Sequence, residues 1–170
     1  WGWFGGAEEG DPVMTAHVAH GLKIASNTVN VPEGMISGAV RWLKNYQERQ
    51  TALLEQGDKF RKLEQLPDGP EKKEALRKLG NYRLTASATD TLVYSVLAEC
   101  GVKNLPMERY LFRDRLELPV ISQIQLAEIL LDAHRMDDFN KIMPVISQFL
   151  QQDDSLQTAW LRLPNAGYWW

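Results

Sequence analysis

Apolar side chains recur along this chain at intervals of three and four, the spacing that lines one face of an α-helix. Over residues 11 to 28, Met14, Val18, Leu22 and Ala25 share a face, and over 32 to 55 Met35, Ala39, Trp42, Leu43 and Tyr46 do so. Residues 84 to 100 carry Leu92, Val93, Val96, Leu97 and Cys100 on one stripe, after a first half rich in Thr, Ser and Ala that lets a neighbouring helix approach closely. In 119 to 135 there are two stripes, Ile121, Ile124, Ala127, Leu131 and His134 against Leu126, Ile129, Leu130 and Ala133, so this helix is expected to be covered on more than one side. A last helix over 138 to 151 gathers Phe139, Ile142, Met143, Ile146, Phe149 and Leu150, with Pro144 predicting a kink or a late start.

Punctuation fits this reading. Pro12, Pro32, Pro70, Pro106 and Pro119 each stand where a helix would begin, a position at which proline loses no useful N–H and already holds the right φ. Gly57, Gly80-Asn81 and Gly101 stand where helices would stop. The stretch 47 to 80 is different, dense in Lys, Arg, Glu and Gln with sparse leucines. It reads either as a long helix, a break at Leu66-Pro67-Asp68-Gly69 and a second helix, or as a partly mobile insertion. The helical period fades near the end. Thr158-Ala159-Trp160-Leu161-Arg162-Leu163, the turn-like Pro164-Asn165-Ala166-Gly167 and Tyr168-Trp169-Trp170 predict a short β-hairpin or a tight aromatic loop. The expected fold is all-α, with helical hairpins in two layers forming an incomplete α/α toroid and a short C-terminal hairpin; a regular 33-to-47-residue repeat is absent.

Length and charge narrow the function. A chain of 170 residues is expected to make one domain, 1–170, and 44% apolar against 24% charged residues belongs with globular proteins. The formal net charge of -3 provides no positive field for a polyanion, so nucleic acid is disfavoured as a partner. No apolar run reaches the length of a membrane span. The opening Trp1 is not followed by a basic segment and apolar run, so no export signal is expected in this stretch, which reads as part of something longer.

Candidate chemistry is thin. His17 and His20 are three apart and can face one metal, but a third ligand is not evident and His134 is distant, so no metal is expected. Asp137-Asp138 and Asp153-Asp154 are paired carboxylates at expected helix boundaries, where an acid caps an N-terminus rather than catalyses. Cys100 is the single cysteine; it excludes an internal disulfide and reads as a small buried hydrophobe rather than a nucleophile. With no phosphate-binding glycine loop and no nucleophile elbow, neither a catalytic set nor a cofactor site is expected. The aromatic-glycine clusters, Trp1-Gly2-Trp3-Phe4-Gly5-Gly6 and Gly167-Tyr168-Trp169-Trp170, are expected to pack indoles over helix ends.

The order of these segments resembles a family. Trp1-Gly2-Trp3-Phe4-Gly5-Gly6, an acidic spacer, Pro12-Val13-Met14-Thr15-Ala16-His17-Val18 and Ala39-Val40-Arg41-Trp42-Leu43 are similar to the thioester domain of the alpha-2-macroglobulin and complement family. Met107-Glu108-Arg109-Tyr110-Leu111 through Leu150, then Thr158-Ala159-Trp160 and Tyr168-Trp169-Trp170, look like its bacterial members. The resemblance covers most of the chain outside 47–80. It implies an α/α toroid inside a secreted or envelope-associated protease trap, with proteases and other domains of the same polypeptide as partners and homodimerisation of the isolated piece as a further expectation. The family's Cys-x-Glu-Gln thioester motif is not matched: Leu53-Leu54-Glu55-Gln56 and Lys62-Leu63-Glu64-Gln65 lack the cysteine, and Cys100 is followed by Gly101-Val102. A non-catalytic scaffold role follows. The competing readings are a toroid enzyme of the terpene-cyclase or prenyltransferase kind and a general helical binding module.

Overall fold

The structure is a computed structural model that describes residues 1–2, 10–32 and 34–162. Within them the chain is all-α with one small antiparallel hairpin, and it divides into two compact units, 1–114 and 115–170, where the length argument expects one. The division falls at the turn after Asp114, and the helix pairs named below lie within one unit or the other.

The first unit holds α1 (Pro12–Ala25), α2 (Met35–Glu64), α3 (Pro70–Lys78), α4 (Ala88–Glu99) and α5 (Leu105–Arg113). Helix α1 starts as the proline pattern predicts, with the Asp11 carboxylate accepting from Met14 N–H at 2.7 Å. Its most buried residues are Thr15, Ala16 and Ala19, one position round from the expected Met14, Val18, Leu22 and Ala25, which are only half-buried. Small side chains win this face because they let α1 lie close to α2 and α4. Ala16, Ala19, Ala39, Leu43, Val93, Val96 and Leu97 form one core cluster, with Trp42 and Tyr46 packed against it.

Pro32 does not open α2. The helix begins at Met35 behind Gly34, which is left-handed at φ 87°. Nor does Gly57 end it: α2 runs on to Glu64 and buries Ala39, Leu43, Gln47, Thr51, Leu54 and Gly57 along one face. At Gly57 the helix meets the segment before α4 so closely that a Cβ would lie 1.9 Å from the Arg83 carbonyl oxygen. Glycine here marks a contact, not a stop. Residues 65–69 break the chain, and α3 packs back on α2, so 47–80 is helical on both sides of the expected break.

Helix α4 starts at Ala88 rather than 84, because Ser87 and Asp90 close a reciprocal capping box. It ends as predicted: Gly101, at φ 77°, sends its N–H to Ala98 O at 2.9 Å, and Val102 N–H reaches Leu97 O at 2.8 Å.

The second unit holds α6 (Val120–Asp132), α7 (Met136–Ser147), β1 (Leu150–Asp153) and β2 (Thr158–Leu161). Helix α6 buries Val120, Gln123, Leu126, Ala127, Ile129 and Leu130, while Ile121 and Leu131 of the other predicted stripe are exposed and His134 lies beyond the helix end. Helix α7 buries Ile142 and Ile146 and accommodates Pro144 in its interior. Leu150 leaves the expected helix and pairs with Leu161, and Asp153 with Thr158. This hairpin turns through 154–157, and the turn expected at Pro164-Gly167, with Tyr168-Trp170, falls outside the described residues. No helix among the described residues is long and apolar enough to cross a membrane.

Candidate functional site

Parts of three segments that carry the family resemblance, Trp1, the Met14-Thr15-Ala16 turn and the Arg41-Trp42-Leu43 turn, lie in the first unit. The Trp1 carbonyl accepts from Asp11 N–H at 2.7 Å and from the Thr15 hydroxyl at 3.2 Å, tying the start of the chain to the first turn of α1. Gly10 lies against the indole of Trp42, where a Cβ would be 3.0 Å from the ring. Trp42 in turn stacks on Tyr46, 5.9 Å between centroids and 7° between planes. Thr15, from the first-helix motif, is thus buried beside Trp1, and Trp42, from the second-helix motif, covers the same entry. Trp3 to Gly6 lie outside the described residues.

The chemical candidates separate. His20 Nδ1 is 2.7 Å from the Glu99 carboxylate, linking α1 to α4, while His17 is exposed. No cluster of three metal-ligating side chains occurs among the described residues. Asp138 sits in the first turn of α7 and takes bonds from Lys141 at 2.9 Å and from Arg135, which hold its carboxyl below the usual carboxylate range. Its neighbour Asp137 is exposed in the same turn. Asp153-Asp154 is not at a helix boundary. Asp153 ends β1 and accepts from the Ser155 hydroxyl and from Ser155 and Leu156 N–H, bonds that close the hairpin loop and lower its pKa. Cys100 caps the end of α4 and is half-buried, with its thiol pushed up by burial. Both Glu-Gln pairs lie at the distal half and end of α2, with Glu55 and Glu64 exposed.

What the sequence reading missed is a set of buried and half-buried carboxylates. Asp90, fully buried, receives Arg83 through both terminal guanidinium nitrogens, at 2.7 and 3.1 Å, as well as Ser87 N–H at 2.7 Å. Arg113 bonds Asp58 at 2.7 Å and Asp114 at 2.6 and 2.8 Å, while Asp114 also accepts Ala86 N–H at 2.8 Å. Tyr110 donates to Asp58 at 2.9 Å; burial first, then this carboxylate, pushes the phenol up to about 12. Tyr94 donates to Glu108 inside the same unit. These bonds pin the 79–87 link and α5 to α2 and α4. The Ser-x-x-Asp spacing at 87 to 90 is the one sequence signal for them. Asp58, Asp90, Glu108 and Asp114 are each engaged by a cation, a hydroxyl or a backbone N–H group.

Two open clefts run along α2. One, of about 860 Å³, is walled by Lys23, Ser26, Val40, Arg41, Lys44 and Cys100 among others. The second, of about 480 Å³, lies between α2 and the link into α5 and includes Lys44, Gln47, Glu48, Lys103 and Asn104. No protein family, curated protein or solved structure matches the chain.

Proposed function

We propose that this chain is a non-catalytic scaffold segment of an alpha-2-macroglobulin-like protease trap, a secreted or envelope-associated protein that is cleaved by a protease and closes round it. One observation carries the reading. Trp1, which heads the aromatic-glycine opening, bonds Thr15 of the Met14-Thr15-Ala16 turn of α1, and Gly10, just before that helix, lies against Trp42 of the Arg41-Trp42-Leu43 turn of α2. The closely packed α1, α2 and α4 suit one stretch of a two-layer wall of helical hairpins, and such a wall transmits load without chemistry of its own. In this reading the partners are proteases and other domains of the same polypeptide, and no cofactor is used.

The test is made on the polypeptide that carries this segment. Incubation with a broad-specificity protease should leave hydrolysis of small peptide substrates intact while digestion of a large protein substrate falls, because a caged protease admits only small substrates. If the large substrate is digested at the control rate after the polypeptide has been cleaved, the reading fails. Methylamine incorporation detected by mass spectrometry separates a thioester-bearing polypeptide from one without it.

A further inference from the structure

Residues 65–69, which join α2 to α3, hold the one Asp-Gly pair in the chain, Asp68-Gly69, and no Asn-Gly pair occurs. In such a pair the backbone nitrogen of the glycine can attack the side-chain carboxyl of the aspartate before it, and glycine puts no side chain in the way. Three features of the structure favour that attack. The Asp68 side chain is 95% exposed. Gly69 N–H donates no hydrogen bond among the described residues, so no partner holds its nitrogen. Gly69 is extended, at φ -174°, and a Cβ there would meet nothing within 4 Å, so no packed neighbour confines the turn. Asp154-Ser155 at the hairpin tip is the contrast: Asp154 is exposed too, but Ser155 N–H is already given to Asp153 at 2.9 Å.

One contact opposes the attack at Asp68. Lys72 Nζ donates to Asp68 Oδ1 at 2.9 Å and to the carbonyl oxygens of Glu64 and Leu66 at 3.0 Å each, clamping the end of α2, the link and the first turn of α3 together. The Lys72 hydrogen bond first, and then its charge, hold the Asp68 carboxyl below the usual carboxylate range. Little of it therefore carries the proton that must depart with the leaving hydroxyl.

We propose that Asp68-Gly69 is a modification site, at which the chain converts to isoaspartate through a cyclic imide, and that Lys72 is the positioning residue that restrains the conversion. The Gly69 nitrogen bonds to Asp68 Cγ and gives up its proton, and the carboxyl hydroxyl leaves as water. Water then adds to a carbonyl of the imide. Addition at the Asp68 main-chain carbonyl breaks the bond from that carbon to the Gly69 nitrogen, the nitrogen stays bonded to Cγ, and a free α-carboxylate is left behind. One water leaves and one enters, so no oxidant, reductant or co-reactant is needed and the mass is unchanged. The main chain now runs through the Asp68 β-carbon, which lengthens the link by a methylene at the point that Lys72 clamps. The inference rests on this turn alone and is independent of the protease-trap reading.

The experiment incubates the intact chain at neutral pH in heavy-oxygen water, digests it, and follows the peptide that spans residue 68 by liquid chromatography and mass spectrometry. An isoaspartyl O-methyltransferase with labelled S-adenosylmethionine is the second probe. The expected result is a peptide of shifted retention that carries one heavy oxygen and accepts a methyl group, formed more slowly than from a synthetic peptide of the same sequence, with no such change at Asp154. Gly69→Ala, which the extended backbone and the open space accommodate, should all but stop the reaction. Lys72→Met should speed it severalfold and Lys72→Arg should keep the parent rate. Added salt should speed the parent but not Lys72→Met, because an exposed ion pair is screened; a lysine that only closed the helix end would not give that salt pattern. The modification site is overturned if Asp68 gains no heavy oxygen, if Gly69→Ala reacts as fast as the parent, or if Asp154 reacts as fast as Asp68. A parent rate equal to that of the synthetic peptide, or a Lys72→Met rate no higher than the parent's, overturns the restraint.

Discussion

At Gly57 a single hydrogen atom in place of a methyl group decides how two segments meet. Ordinary helix propensity favours alanine over glycine by about 1 kcal/mol in a helix interior. Here a Cβ would meet the Arg83 carbonyl oxygen at 1.9 Å, and that strand of backbone is itself held by Arg83 N–H on Leu53 O at 3.0 Å. The clash therefore outweighs the propensity. Gly57→Ala is expected to lower stability by about 2 kcal/mol or more in urea denaturation, whereas Gly38→Ala in the same helix, where a Cβ meets nothing within 4 Å, should gain about 1 kcal/mol. If both substitutions shift the midpoint the same way, the close approach at Gly57 is wrong. Tyr110 gives a second test at this scale. Its folded-state pKa, raised to about 12 from 10.0, means that the folded chain holds the phenolic proton more tightly than the unfolded one. The stability it contributes is complete below about pH 10 and is lost as pH rises from there towards 12. Tyr110→Phe should remove that part of the alkaline loss, and phenolate absorbance should show one fewer late-titrating tyrosine.

Between elements, the links carry as much of the structure as the helices they join. Asp90 is surrounded by Arg83, Ser87 N–H and the Ser87 hydroxyl, so Asp90→Asn leaves the guanidinium short of charge in a buried place and should cost about 3–5 kcal/mol by equilibrium unfolding. A loss under 1 kcal/mol would place that pair in solvent. At the end of α6 the chain turns through His134, at φ 56°, with its N–H on Leu131 O and Arg135 N–H on Leu130 O, the same closure that Gly101 gives α4. A side chain at that φ carries strain that glycine does not, so His134→Gly is expected to raise stability by about 0.5–1 kcal/mol. These contrasts show what the sequence made legible. Proline and aspartate at 11 to 12, and glycine at 101, act locally and their meaning survives folding. Gly57 and Gly101 are the same letter with opposite uses, and only the distant Arg83 separates them. Periodicity found α1 but chose its bulkier face, because the side chains that allow close approach are small ones such as Ala16 and Ala19; in α6 it found the buried stripe of Leu126, Ile129 and Leu130 together with a second whose Ile121 and Leu131 are exposed. The carboxylate network was illegible for a related reason: half-buried Asp58 and buried Asp90 and Asp114 look like surface charge until Arg83 and Arg113 arrive from elsewhere. The strand at Leu150–Asp153 was illegible because Leu150 continues the apolar stripe of α7 in sequence while the chain has already become strand.

On the scale of the whole chain, the residues that close the first core all come from within 1–114. Ala16 and Ala19 of α1, Ala39 and Leu43 of α2, and Val93, Val96 and Leu97 of α4 need no residue beyond Asp114 to complete their cluster. The ion pairs that join its links are equally internal, with Arg83 on buried Asp90 and Arg113 on half-buried Asp58 and buried Asp114. A core and a polar layer that are both closed within one stretch are the conditions for independent cooperative folding. Residues 1–114 expressed alone should therefore keep a helical spectrum and unfold in one sigmoidal transition in urea. Leu43→Ala, which truncates a fully buried side chain, should shift that transition by about 2–5 kcal/mol. A gradual, non-cooperative loss of helix from 1–114, or a Leu43→Ala midpoint equal to that of the parent sequence, would mean that this core is not closed where the packing places its edge.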